Sequence, residues 1–179
     1  MDFYDHVEQY WERLGRARLS VDWTRVKTLT GDLDRCRKDG STVYIVGDGG
    51  SAANSEHVCN DLQLCGIRSE ALSANSAVMT CLANDCGFDT VFMTQLELKA
   101  RDGDILIALS GSGNSPNILR ALEHAERAGM PSYAILGFDG GKAKGQAMCS
   151  IHAVDADQQH AEDIQHVSFH VIMQWLQTA

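Results

Sequence analysis

Two pairs of titratable residues stand at helical spacing in two distant parts of the sequence. In "GSAANSEHVCNDL", His57 precedes Asp61 by four residues, so both side chains lie on one face of a predicted helix. In "AEDIQHVSFHVIMQWL", Glu162 precedes His170 by eight residues, little more than two turns, so they share one side. Imidazoles and carboxylates transfer protons in acid–base catalysis and bind metal ions. Four groups suited to proton transfer or metal binding could therefore meet in one site.

Each pair alone also has an ordinary structural explanation. Surface carboxylates are usually solvated, and a histidine on a helix is more often a structural group than a catalytic one. The last helix contains a further candidate, because His166 lies midway between Glu162 and His170 in steps of four residues and could share the edge of the site. The apolar stripe of the same helix consists of Ile164, Val167, Val171 and Trp175.

Two loops rich in small polar residues each follow an apolar run and precede a predicted helix. "GDGGS" exposes backbone N–H groups, and "SGSGNS" adds three hydroxyls and an amide before Pro116, a favoured first helical residue. A tight connection or a helix cap would also explain either loop. Neither contains Lys or Arg, so the pair favours a phosphate monoester bound by neutral donors at helix N-termini. The residues of this predicted phosphate site are Asp48, Gly49, Gly50, Ser51, Ser110, Gly111, Ser112, Asn114 and Ser115.

The elements that position these residues alternate along the chain. Helical periodicity predicts two opening helices at 3–17 and 22–38, and buried strands then alternate with helices. This order indicates an α/β fold, a three-layer αβα sandwich around a five-stranded parallel sheet, whose ligands bind beyond the carboxyl ends of the strands. The predicted strands are 41–47, 70–74, 104–111, 132–137 and 149–156, and the later helices are 52–64, 75–83, 88–100, 116–128, 142–147 and 161–177.

Composition narrows the classes of protein. The 179 residues, 44% of them hydrophobic, suit a single domain, and a net charge of −9 argues against a nucleic-acid or anionic-membrane surface. Six cysteines without CxxC spacing, and an N-terminus unlike a signal peptide, favour the cytoplasm. The apolar runs are shorter than the roughly 18 residues of a membrane span. The first glycine loop fits neither GxGxxG nor GxxxxGK[ST], so no nucleotide cofactor is expected.

Four segments together resemble the sugar isomerase (SIS) domain family, and within it the phosphoheptose isomerases: "GDGGSAANSEHVCNDL", "LANDCGFD", "DILIALSGSGNSPNILRALEHA" and "GFDGGKAKG". The resemblance implies a SIS fold, flavodoxin-like, over residues 1–179. It also implies conversion of sedoheptulose 7-phosphate to D-glycero-D-manno-heptose 7-phosphate through an enediol. Asp61 would be the base and His170 the acid, with His57 and Glu162 orienting them, and Asp85 would contact sugar hydroxyls.

The sequence departs from the family pattern at three places. Asp61 is one methylene shorter than the usual Glu, Gly111 replaces a common threonine, and the chain is shorter between Leu62 and Ala71. A second register of the last helix would place Gln165 on the family's Gln or Glu and Met173 on its histidine. That register, together with the short Asp61, favours the alternative of a non-catalytic sugar-phosphate-binding or regulatory SIS protein, which His57, Glu162 and His170 oppose.

The resemblance also implies an assembly and a metal. Members form homotetramers with sites at subunit boundaries, so we expect the N-terminal helices (1–40) to contribute to oligomer contacts. Some members bind zinc, and the matching residues are His57, Asp61, Glu162 and His170. Two imidazoles and two carboxylates make an acceptable tetrahedral set. The expected partner is a phosphorylated sugar, with no nucleic acid and no membrane.

Overall fold

The computed structural model describes residues 1–178. A five-stranded sheet, all parallel in the order β2-β1-β3-β4-β5, is surrounded by helices, which confirms the predicted fold class. The strands are β1 (Thr42–Gly47), β2 (Arg68–Ala71), β3 (Ile105–Ser110), β4 (Ser132–Leu136) and β5 (Cys149–His152). The helices are α1 (Phe3–Ser20), α2 (Trp23–Asp39), α3 (Gly50–Leu64), α4 (Ser76–Cys86), α5 (Val91–Lys99), α6 (Pro116–Arg127), α7 (Ala143–Gln146) and α8 (Gln158–Thr178).

Two hydrophobic cores, one on each face of the sheet, produce the three layers. Because strand side chains alternate, Val43 and Ile45 point to one face and Tyr44 and Val46 to the other, and all four are buried. The first core packs against α1, α2, α3 and α8, and the second against α4, α5, α6 and α7. Burial on both faces explains why β1, β3 and β4 appear in the sequence as continuous apolar runs.

The bounds of two helices differ from the sequence prediction in a way that affects the site. Helix α3 begins at Gly50 rather than residue 52, so the first glycine loop is shorter than expected. Helix α8 begins at Gln158 rather than residue 161, because the Asp157 carboxylate accepts from the backbone N–H groups of Gln159 and His160. The earlier start adds one turn to α8 near the strand ends.

Smaller differences concern the other elements. Strand β2 is 68–71 instead of 70–74, and β5 ends at His152. The expected helix 88–100 is divided into a short 3₁₀ turn and α5. Among the described residues, no helix combines the length and apolar character needed to cross a bilayer.

Candidate active site

Helices α3 and α8 lie side by side on one sheet face and are joined by buried polar contacts. Gln165 is fully buried, and its Oε1 accepts from Asn54 Nδ2 at 2.8 Å while its Nε2 donates to Ser51 Oγ at 3.2 Å. Asn54 also donates to the backbone carbonyl of Glu162 at 3.0 Å. Because buried polar groups must be paired, these contacts fix how α8 is placed on α3.

This placement brings three of the predicted residues together. The Nε2 atoms of His57 and His170 are 3.1 Å apart, and Asp61 Oδ2 lies 3.4 Å from His57 Nε2 and 3.7 Å from His170 Nε2. Met173 instead packs against the first core. The geometry therefore corresponds to the register with His170 in the site rather than the register with Met173.

Asp61 is the most enclosed member of this group. Its side chain is 10% exposed, and its Oδ2 is buried without a hydrogen-bond partner, although two imidazoles stand near it. An unpaired buried carboxylate oxygen is costly unless a proton donor, a cation or a ligand satisfies it. The arrangement thus presents a free carboxylate oxygen beside two imidazole nitrogens, which suits proton transfer or metal binding.

His166 stands beside this group as a third imidazole. Its ring centroid is 4.8 Å from that of His57 and 5.6 Å from that of His170, and ligand nitrogens of all three residues lie within 4.8 Å of one another. Burial, and then the charges of His57 and His170, lower the pKa of His166 below its ordinary value. Sequence reasoning placed His166 only at the edge of the site, whereas the structure places it within the histidine cluster of His57, His166 and His170.

Glu162 occupies a different position from the one expected. Its carboxylate accepts from Gln158 Nε2 at 2.7 Å and lies over Gly50, where an added Cβ would stand 2.3 Å from it. The negative charge is therefore near the N-terminus of α3, where the helix dipole favours it. Of the four metal ligands implied by the resemblance, the structure groups His57, Asp61 and His170 and places Glu162 at the glycine loop.

The two predicted phosphate loops face one cavity at the carboxyl ends of β1 and β3. The cavity, of about 130 Å³, is lined by Asp48, Ser51, Leu109, Ser110, Gly111, Ser112, Ser115 and Gln158. Gly113 needs its positive φ of 63°, and a Cβ there would lie 2.1 Å from the Gly140 carbonyl oxygen. Asn114 closes the loop from outside, since its Oδ1 accepts from the backbone N–H of Lys142 at 3.2 Å. Hydroxyls from both loops thus converge without a basic side chain among the lining residues.

Gln158 is the polar lining residue that sequence reasoning missed. It lies over Gly111, where an added Cβ would be 2.3 Å from Gln158 Oε1, and it donates to Glu162 one turn later. The spacing could have indicated Gln158, because Gln158 and Glu162 are four residues apart and share a helix face. Gln158 was left out because the last helix was predicted to begin at residue 161.

Asp85 is the predicted residue that the chain places apart from both groups. It is exposed on α4, which packs on the opposite face of the sheet, and its carboxylate accepts from Asn84 Nδ2 at 2.7 Å. Asp85 lines neither the cavity nor the histidine cluster of this chain.

The fold and the site together define a class of protein. The family model described as the SIS domain matches residues 3–137, so this is a SIS-domain protein. The chain is 34% identical over 169 residues to the phosphoheptose isomerase of Pelodictyon phaeoclathratiforme, covering 88% of this chain and 78% of that protein. It is 40% identical over 132 residues to the phosphoheptose isomerase of Trichlorobacter lovleyi, covering 70% and 66% respectively. Within the SIS class, the chain belongs to the phosphoheptose isomerase family.

A solved structure supports the same fold. The phosphoheptose isomerase of Neisseria gonorrhoeae superposes with a TM-score of 0.93 over 99% of this chain and 100% of that one. Its sequence identity is 23%, so the similarity establishes the shared fold.

Proposed function

We propose that the chain converts sedoheptulose 7-phosphate to D-glycero-D-manno-heptose 7-phosphate through an enediol. The observation that supports this most directly is the meeting of His57, Asp61 and His170 from two separate helices. Ketose–aldose interconversion needs a base for a carbon-bound proton and an acid for the carbonyl oxygen, and this group contains both. The family membership supports the same substrate.

The distance between the two predicted subsites fits a seven-carbon phosphate. Ser51 lines the phosphate cavity, and His57 is six residues further along α3, a rise of about 9 Å. Seven carbons joined by bonds of about 1.5 Å extend over about 8 Å from C1 to C7. A phosphate bound in the cavity would therefore leave C1 and C2 near the histidine cluster.

The residues present can perform each proton movement. Asp61 removes a proton from C1 of the open-chain ketose while His170 donates a proton to O2, which gives the enediol. Asp61 then returns its proton to C2, and His170 takes the proton from O1, which leaves the aldehyde at C1. In the metal-free site, the free Oδ2 of Asp61 suits the role of base because no hydrogen bond occupies it. His57 orients both groups.

The same residues also fit a zinc ion. The unpaired Asp61 oxygen and the close imidazoles of His57 and His170 are groups that Zn²⁺ binds readily. A bound ion would act as a Lewis acid that polarises O1 and O2 of the sugar. We include zinc in the proposal on this chemistry.

Surface features support a cytoplasmic homotetramer with sites at subunit boundaries. Phe3, Tyr4 and Trp11 of α1 are exposed large apolar residues, which suits an oligomer contact. Asp85 would reach a substrate only in a neighbouring subunit's site. All six cysteines are free, as a reducing compartment would keep them. The alternative of a non-catalytic binding protein rests on Met173 in the place of the acid and on the short Asp61, and the 3.7 Å between His170 Nε2 and Asp61 Oδ2 argues against the first of these.

The test is turnover of sedoheptulose 7-phosphate in deuterium oxide followed by NMR, with and without a chelator. We expect product formation and deuterium on the carbon next to the carbonyl. His170→Gln should reduce turnover by about 10²-fold or more. His124→Gln, on α6 at the opposite face of the sheet, is the matched control and should keep full turnover. Binding of the sugar phosphate without exchange or product would refute catalysis and support a binding role.

A further inference from the structure

We propose that His166 is a direct ligand of the zinc ion, so that the metal is bound by His57, Asp61, His166 and His170. This inference rests on the proposed site and changes its composition, because the resemblance implies Glu162 as the fourth ligand. It follows from the positions of the side chains in this chain.

Three of the four ligands already have the spacing of a tetrahedral site. Zinc bonds of about 2.0 to 2.1 Å place neighbouring ligand atoms about 3.3 Å apart at tetrahedral angles. The atom pairs of His57, Asp61 and His170 are separated by 3.1, 3.4 and 3.7 Å. One further ligand is needed for the four-coordinate site.

His166 is the nearest group of a suitable type to complete the set. Its ligand nitrogen lies within 4.8 Å of the nitrogens of His57 and His170, which exceeds the tetrahedral separation by at most about 1.5 Å, and side-chain torsions can provide that movement. It stands one turn before His170 on the same stripe of α8, where the two side chains face the same neighbour.

Glu162 is held away from this position by its own contacts. Its carboxylate is hydrogen-bonded to Gln158 at 2.7 Å and fits against Gly50, at the positive end of α3. Movement to the metal would break this hydrogen bond and remove the charge from the helix end. His166 already stands beside His57, with the two ring centroids 4.8 Å apart.

The experiment compares His166 and Glu162 in metal-binding assays. Chelator-treated protein is titrated with Zn²⁺ by calorimetry, and circular dichroism checks that each variant is folded. We expect His166→Gln to weaken zinc binding by at least about tenfold, since even outer groups of zinc sites contribute 10- to 100-fold. Glu162→Gln should stay within about twofold of the wild type.

A second pair of variants reports coordination directly. His166→Cys should bind Co²⁺ with a new thiolate-to-metal charge-transfer absorption, because thiolate is also a ligand of such sites. Glu162→Cys should add no such absorption to the wild-type spectrum. The inference is overturned if Glu162→Gln weakens zinc binding while His166→Gln leaves it unchanged. It is also overturned if both variants bind zinc equally well, or if the wild type binds no zinc. Turnover of the chelated wild type tests the isomerase proposal separately, so the two failures are distinguishable.

Discussion

Gln165 links the two helices that assemble the site, and its replacement tests that role. Gln165→Leu keeps the approximate volume but removes the hydrogen bonds to Asn54 and Ser51. Each bond contributes about 1 kcal/mol, and an orphaned buried group costs about 1 to 3 kcal/mol. Asn54 keeps its bond to the Glu162 carbonyl, so the Ser51 hydroxyl is the group left unpaired.

We expect the free energy of unfolding to fall by about 2 to 4 kcal/mol after part of the loss is offset by burial of Leu. For a chain of this size, each kcal/mol lowers Tm by about 2 to 4 °C, so the total is about 5 to 15 °C. The helices would also lose their fixed placement, so turnover at a temperature where the variant is folded should fall at least tenfold. Urea unfolding and the NMR assay measure the two effects.

Gln95 offers the matched control for this experiment. Its amide is equally buried and donates to the carbonyls of Leu72 and Val91, at 3.0 and 3.2 Å, on the opposite face of the sheet. Gln95→Leu should destabilise the chain to a similar extent and leave turnover of the folded protein unchanged. Equal loss of turnover in both variants would show that Gln165 acts only through global stability and would refute its positioning role.

Three further predictions concern the base, the phosphate cavity and pH. Asp61→Asn should abolish proton exchange, with a loss of about 10²-fold or more, while Asp61→Glu should retain measurable turnover. Gly111→Thr should raise KM for the sugar phosphate more than it lowers kcat, because a Cβ at this position would stand 2.3 Å from Gln158 Oε1. Gly145→Thr is the control, since no atom lies close to an added Cβ there. Burial and the hydrogen bond to Asp163 raise the pKa of Tyr10 to about 12, so stability should decline as pH rises from 10 to 12, and less steeply in Tyr10→Phe. Parallel urea-unfolding curves of the two proteins at pH 9 and pH 12 measure that difference.

The α/β fold could be predicted from the sequence because many short segments of the chain each indicate it independently. Apolar runs separated by helical periodicity leave few arrangements, and the central strands β1, β3 and β4 are buried on both faces as their composition implies. The helix starts were less accessible. The start of α8 depends on one carboxylate, Asp157, which caps two backbone N–H groups, and a single acidic residue in a polar segment is a weak signal.

The site could be predicted only in part, because spacing within one helix follows from the sequence but the packing of two helices does not. His57 and Asp61 share a helix turn, so their proximity follows from spacing alone. On α8, residues four apart turn by about 40° relative to one another, so Glu162 and His170 differ by about 80° around the axis. Which part of that stripe meets His57 depends on how α8 crosses α3. That crossing is set by Gln165 and Asn54, a tertiary contact that periodicity does not reveal.

Because the polar side chains of α8 turn gradually around the helix axis, the two ends of the helix face different parts of the proposed site. The first two turns direct Gln158 and Glu162 to the glycine loops, and the third and fourth turns direct His166 and His170 to His57. One rigid helix therefore contacts both the proposed phosphate subsite and the proposed reaction centre. Because a helix transmits displacement along its axis, a change in the packing of α8 would disturb phosphate binding and proton transfer together. A substitution at one end of α8 would affect only phosphate binding or only proton transfer. Gln165 lies between the two ends, so its replacement would affect both.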